Sequence, residues 1–225
     1  MLAPILDEPH TQIAILTFDS QLNVAQDFTG DGAQIARCLQ HLQRGDDGAA
    51  IRDAVQYAVR MLDKTPEGRQ RVLLLISETR DHGSHFAKID DVVSLMGNST
   101  TTVYTLVFSP TISNILDTER GTNQDEMKPT VDLLALLAQA SAAMKRNTPK
   151  AIASQTGGEY KLFESRKRFE THMMDFTNHL RSRYVLSFQP KNPEPGMHQI
   201  RVRLKPPGTA TVLARSSYWA AAPTQ

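Results

Sequence analysis

RVLLLISETRDHGSHFAKIDDVVSLMGNSTTTVYTLVF, residues 71–108, decides the fold. Residues 71–76 are a short continuous apolar run after a turn containing Pro66 and Gly68, the pattern of a central strand. Ile89, Val92, Val93 and Met96 then recur at helical spacing. TVYTLVF (102–108) is β-branched and aromatic, a second core strand. Strand, helix and strand in this order imply a parallel crossover.

The same alternation extends to both sides. QIAILTFD (12–19) is apolar on both faces, as in a strand covered on two sides, and LNVAQDF (22–28) reads as a shorter strand pairing with it as a hairpin edge. Gly30 to Gly32 break the chain, Ile35, Cys38, Leu39 and Leu42 mark a helix, and Gly45 to Gly48 break it again. Ile51, Ala54, Val55, Ala58, Val59 and Leu62 form the best amphipathic helix in the sequence. After residue 108, the polar stretch 109–130 with Pro110 and Pro129 reads as a surface loop. A Leu- and Ala-rich helix spans 131–144, and a further helical segment runs to Gln155 with Gly157 as its cap. EYKLF (159–163) is a strand, and Ser165 caps a basic amphipathic helix carrying Phe169, Met173, Phe176 and Leu180.

The end of the chain differs. YVLSF (184–188), QIRVRL (199–204) and TVLAR (211–215) are separated only by the turns Pro193–Gly196 and Pro206–Gly208. They predict a half-exposed antiparallel meander. The expected fold is therefore α/β, a mostly parallel sheet with helices on both faces (residues 1–182), followed by a β-meander extension (183–225).

Composition narrows the function. The chain has 225 residues, 40% hydrophobic and 22% charged, enough for a core without disulfides or structural metal. A formal net charge of +1 gives no global field toward nucleic acid or anionic membrane. Cys38 is the only cysteine, so no internal disulfide forms, and its spacing suggests a small buried hydrophobe. No run of about 18 apolar residues suggests a membrane span. Met1 to Leu6 has neither a basic region nor an apolar core for a signal peptide, so the chain as given is expected in the cytoplasm, and outside it if a leader precedes Met1.

Several phrases resemble, in order, the von Willebrand factor type A family. TFDS (17–20) with QDFTGD (26–31) looks like that family's second strand and hairpin, and GAAIRDAV (48–55) resembles its GTALYDAL-like stretch. VLLLISETRDHGS (72–84) resembles the strand ending in "SDG.D..S". TVYTL (102–106) and ASQTGGEYKLF (153–163) resemble segments further on. LRSRYVLSFQP (180–190), the Ile-Arg-Val strand and AR..Y (214–218) are similar to the C-terminal extension of bacterial VWFA-related proteins of the Acidobacteria type. The resemblance implies a Rossmann-like three-layer sheet with an Mg²⁺-dependent adhesion site at its strand ends, where open α/β sheets bind ligands. In the family a DxSxS loop, a Thr and an Asp supply the hard oxygen ligands.

This sequence departs from that pattern at all three loops. Residues 1–10 look like the tail of the helix that follows the first strand, so the first strand and DxSxS are missing. Asp19 and Ser20 give only a "DS" on another strand. The Thr position falls on Ala49, and the Asp position on Glu78, the one matching ligand position. No cofactor is expected, neither Mg²⁺ nor Mn²⁺. Loss of the first strand should leave strands 12–19 and 71–76 with unpaired backbone. The neighbours could close up, another chain or copy could supply a strand through the open sheet position, or residues upstream of Met1 could; the last is preferred.

The remaining motifs read as ordinary structure. Thr156–Gly157–Gly158 follows a helix and precedes a strand, the reverse of a phosphate loop. No GxGxxG, GxxxxGK[ST] or GxSxG occurs. Arg166, Lys167, Arg168, Arg181 and Arg183 form a solvated basic face without the interleaved exposed aromatics of nucleic-acid binders. The expected function is a non-enzymatic module binding another protein through the strand-end loops: Asp19, Ser20, Asp47, Ala49, Ser77, Glu78 and Asp81. The alternatives are a hydrolase built on Asp81, His82 and His85, and a structural subunit whose sheet a partner completes.

Overall fold

The computed structural model describes residues 3–109, 133–190, 194–205 and 211–220. Its sheet centres on β4 (Thr102–Phe108), buried from Thr102 through Val107. β3 (Val72–Ser77) pairs with one edge of β4, in parallel from Val72↔Thr102 to Ser77↔Val107. β5 (Tyr160–Phe163) pairs in parallel with the other edge. β1 (Ile13–Phe18) and β2 (Leu22–Thr29) form a separate antiparallel hairpin.

Helices cover both faces, because successive strand residues point to opposite sides. Leu73, Leu75 and Val103 join one cluster with α3 (Ile51–Asp63), α4 (Ile89–Asn98), α5 (Leu133–Arg146) and α6 (Thr148–Thr156). Ile51, Val55, Val59, Val92, Val93, Met96, Met144 and Ile152 are its most buried side chains. Burying each stabilises the fold by about 1.5–3 kcal/mol before entropy is subtracted. Val72, Leu74, Tyr104 and Leu106 face the other way, toward Ile5 of α1 (Ala3–Leu6) and Met173 and Phe176 of α7 (Arg166–Arg181). Tyr104 and Phe176 meet edge to face at 5.0 Å.

Local chemistry sets the helix ends. The Asp31 carboxylate accepts from the Ala33 and Gln34 amides and starts α2 (Gly32–Gln40). Asn147 and Ser165 do the same for α6 and α7. Gly157 ends α6 at φ 77, where a side chain would be strained, so the Thr-Gly-Gly stretch is a helix stop as expected.

Two expectations need correction. The meander does not fall at 184–188, 199–204 and 211–215; the antiparallel pair is β6 (Gly196–Gln199) with β7 (Ser217–Ala220), and 184–190 is irregular. Alternating β-branched residues mark β-prone stretches, but pairing is chosen by what the hairpin packs against, here α4 and α5. Cys38 is half-buried and Leu39 and Leu42 are exposed, because α2 covers only the β1–β2 hairpin and buries Ile35 alone. Among the described residues β1 and β3 do not pair, so the two strands have not closed up into one ladder. Of the loop expected at 109–130, residues 110–130 lie outside the described residues. Among the described residues no helix is long and apolar enough to cross a membrane.

Arg215 fastens the C-terminal segment. Its guanidinium donates to the carbonyls of Met96, Gly97 and Ser99, groups left without partners where α4 ends. Trp219 packs beside Gly97 and the main core. Arg215→Ala should lower unfolding free energy by about 2–3 kcal/mol, since it strips partly buried carbonyls of a charged donor. Denaturant melts would measure this, and hydrogen exchange should speed up in 196–199 and 217–220 first.

Candidate functional site

The loops after β1 and β3 converge on the start of α3. The Ala50 amide donates to the Asp19 carbonyl at 2.8 Å, and the His82 amide donates to the Ala49 carbonyl at 3.2 Å. The chain passes so closely that a Cβ on Gly83 would lie 2.8 Å from the Ala50 nitrogen.

Ala50, the N-cap of α3, has no side-chain cap of its own. The exposed-amide problem at a helix start is solved from the β3 loop instead. Asp81 accepts from the Arg52 amide at 2.7 Å and pairs with the Arg52 guanidinium at 3.2 Å. The Ser84 hydroxyl donates to Asp81 at 2.5 Å and accepts from the Asp53 amide at 3.2 Å. Asp53, in the first turn of α3, returns the favour: its carboxylate accepts from the amides of His85, Phe86 and Ala87. Burial opposes the charge on Asp81, but the bonds from Ser84 and Arg52 outweigh it and hold the carboxyl below its ordinary value.

A second clasp joins the remaining loops. Asp46 accepts from the Ser20 amide at 3.1 Å and the Gly48 amide at 2.7 Å, bonds that lower its pKa. Asp19 accepts from the amides of Gln21 and Asp46. The His82 imidazole lies 2.8 Å from the Asp47 carbonyl and 3.5 Å from Glu78. The carbonyl contact, then Glu78, favours the protonated ring and raises its pKa against a small burial penalty.

The sequence-predicted residues therefore gather at one end of the sheet, in different roles. Asp19 and Asp81 are used internally, and Ala49 is buried. Ser20, Asp47 and Glu78 are exposed, while Ser77 is half-buried and donates to the Glu78 carbonyl. Asp81 binds Arg52 and Ser84 rather than either imidazole, and His85 joins the network only by its amide. Asp81, His82 and His85 thus do not form one hydrogen-bonded set. Among the described residues no three His, Cys, Asp or Glu side chains gather as a metal site.

Two features escaped the sequence reading. Phe86 is 86% exposed on the loop that Asp53 clamps. Two residues further along the chain begins an open cleft of about 660 Å³, lined in part by Lys88, Ile89, Asp90, Leu137, Ser141 and Lys145. An aromatic within a polar loop was a visible signal for Phe86; nothing local tied Lys145 to Lys88.

Residues 1–81 match the family described as von Willebrand factor type A domain. The fold is similar to that of the conserved hypothetical protein BatB from Bacteroides thetaiotaomicron, at 15% identity, covering 80% of this chain and 86% of that one with a TM-score of 0.50. It is also similar to an aerotolerance-related membrane protein from Bacteroides fragilis NCTC 9343, at 17% identity, covering 79% and 85% with a TM-score of 0.50. No curated protein matches the sequence. The resemblance to the von Willebrand factor type A family is thereby borne out by sequence over residues 1–81, and by fold over the larger part of the chain.

Two titrations probe the site. Asp81, with a lowered folded value, contributes stability that is present above its unfolded pKa of about 3.9 and is lost as pH falls through the folded value. Asp81→Asn should flatten that acid loss in thermal melts between about pH 2 and 5, and cost about 1–2 kcal/mol at neutral pH as a lost cap. His82 has the opposite sign. Its contribution is complete below about pH 6.5 and is lost as pH rises through the raised folded value, so NMR titration of its ring should give a midpoint above 6.5.

Proposed function

We propose that this von Willebrand A-type domain is a non-enzymatic protein-binding module that engages its partner through the strand-end loops without a metal ion. The observation carrying this reading is Phe86, an aromatic side chain held out in solvent on a loop whose amides at 85–87 are fixed by Asp53. Exposed aromatics on pre-ordered loops are the usual anchors of protein interfaces, because little entropy is lost when they dock. Of the charges lining the cleft, Arg52 is paired with Asp81 and Asp90 accepts from Ser141, and the exposed Lys88 and Lys145 suit a partner with acidic side chains.

Metal independence rests on the donor set. Ala49 offers no side-chain oxygen, Asp81 is neutralised by Arg52, and Glu78 faces His82. These residues do not fit the octahedral oxygen shell that Mg²⁺ requires. We read this as a degenerate adhesion site. A hydrolase reading has weaker support, because the Asp81 carboxylate is committed to Arg52 and Ser84.

Quantitative affinity capture from extracts of the source organism tests the interface. A partner held by the wild type should bind Phe86→Ala about 30-fold more weakly, a loss of about 2 kcal/mol typical of an aromatic hot spot, with an unchanged melting temperature. Undiminished capture by both Phe86→Ala and Lys88→Glu sinks the proposal. Millimolar Mg²⁺ or Mn²⁺ should leave the melting temperature unmoved, whereas a real site would raise it by several degrees. Stabilisation by Zn²⁺ that disappears in His82→Ala would favour the hydrolase instead.

A further inference from the structure

We propose that the outer stripe of α3 continues the Phe86 surface and takes a partner segment that is apolar at one end and acidic at the other. The inference rests on the protein-binding reading above and adds the partner's course and charge. Tyr57, Arg60 and Lys64 carry it. α3 buries Ile51, Ala54, Val55, Ala58 and Val59 on one side, where β1, β3, α4 and α6 pack. Asp53, Tyr57, Arg60 and Lys64 recur at spacings of three and four on the opposite side, and the last three are exposed.

Asp53 ties this stripe to the loop. Its carboxylate accepts from the Phe86 amide at 3.2 Å and the Ala87 amide at 2.6 Å. Tyr57 follows Asp53 by one turn, a spacing that sets Cβ atoms about 5–6 Å apart. Phe86 is 86% and Tyr57 45% exposed. Tyr57 belongs to neither apolar cluster of the sheet, so the fold gains little from an aromatic there. Two aromatic side chains thus stand free at the loop end of the stripe.

The other end is basic. Tyr57, Arg60 and Lys64 form a ridge about 10 Å long. Neither cation forms an ion pair among the described residues. The acids of α3 are already engaged, Asp53 by the loop amides and Asp63 by Ser99 and Arg71. Aromatic and arginine side chains supply most interface anchors, and unpaired cations select acidic partners. A segment laid along the stripe sets apolar side chains on Phe86 and Tyr57, and carboxylates against Arg60 and Lys64.

Selection of random dodecapeptides displayed on phage, against the immobilised full chain, tests this. Enriched peptides should be net acidic, with apolar residues gathered at one end. One of them, synthesised with a fluorophore, should bind at least about tenfold more weakly to Tyr57→Ala and to the double variant Arg60→Glu, Lys64→Glu. Binding to the wild type should weaken similarly between about 50 mM and about 500 mM salt. These positions are exposed, so the melting temperatures should stay unchanged. No enrichment over an inert protein, enrichment without acidic bias, or an acidic peptide indifferent to both α3 variants would each overturn the proposal. Binding lost in Lys88→Glu but kept in the α3 variants would place the partner on the cleft and overturn it too, while a loss in Phe86→Ala would leave the strand-end reading standing. Indifference to Phe86→Ala would instead overturn that reading.

Discussion

The reciprocal capping of α3 and the β3 loop is the constraint on which the upper end of the molecule depends. A helix starts with amides that have no internal partners, and α3 lacks a side-chain cap at Ala50. Asp81 and Ser84 supply acceptors from across the sheet, and Asp53 supplies acceptors for residues 85–87 in return. Three carboxylate or hydroxyl groups thereby order both the helix start and a loop that lacks secondary structure. The negative charge of Asp81 also sits at the positive end of the helix dipole. Without this exchange Phe86 would sit on a loose loop and would lose conformational entropy on binding.

Below that rim, the sheet divides the molecule into parts of unequal completeness. β4 has neighbours on both edges and helices on both faces, and it is the best-buried strand. The β1–β2 hairpin joins the rest through α3, the Arg69 contacts and the Asp19–Ala50 bond rather than through a continuous ladder. Cohesion there comes from side chains such as Phe18 packing into the α3 cluster. Apolar burial is non-directional and tolerates the interruption; backbone pairing is directional and does not bridge it.

How much of this was legible in the sequence varies with the range of the interaction. The periodicity of Ile51, Val55 and Val59 and the apolar run 72–76 located α3 and β3 because those patterns are local. Gly157 and Ser165 act within three or four residues and marked their helix ends equally well. The C-terminal strands were misplaced because β6 and β7 are chosen by Arg215 and Trp219 docking on α4, more than a hundred residues earlier. Cys38 was misread because its helix covers a lone hairpin rather than the main core. At the site, the strand-end phrases picked out loops that lie together in the structure, but which acids were free and which were already bonded depended on partners 29 to 35 residues away.

By itself, then, the sequence determined the succession of elements, the parallel crossover through 71–108 and the family resemblance, because side-chain period and helix caps are properties of neighbouring residues. It also determined that Ala49 could offer no side-chain oxygen ligand. Only the tertiary structure decided that Asp81 is a cap bound to Arg52, that Asp53 fixes the loop on which Phe86 is exposed, and that, among the described residues, β1 and β3 do not pair. Those outcomes turn on distances between groups remote in sequence, which packing sets and local pattern does not contain.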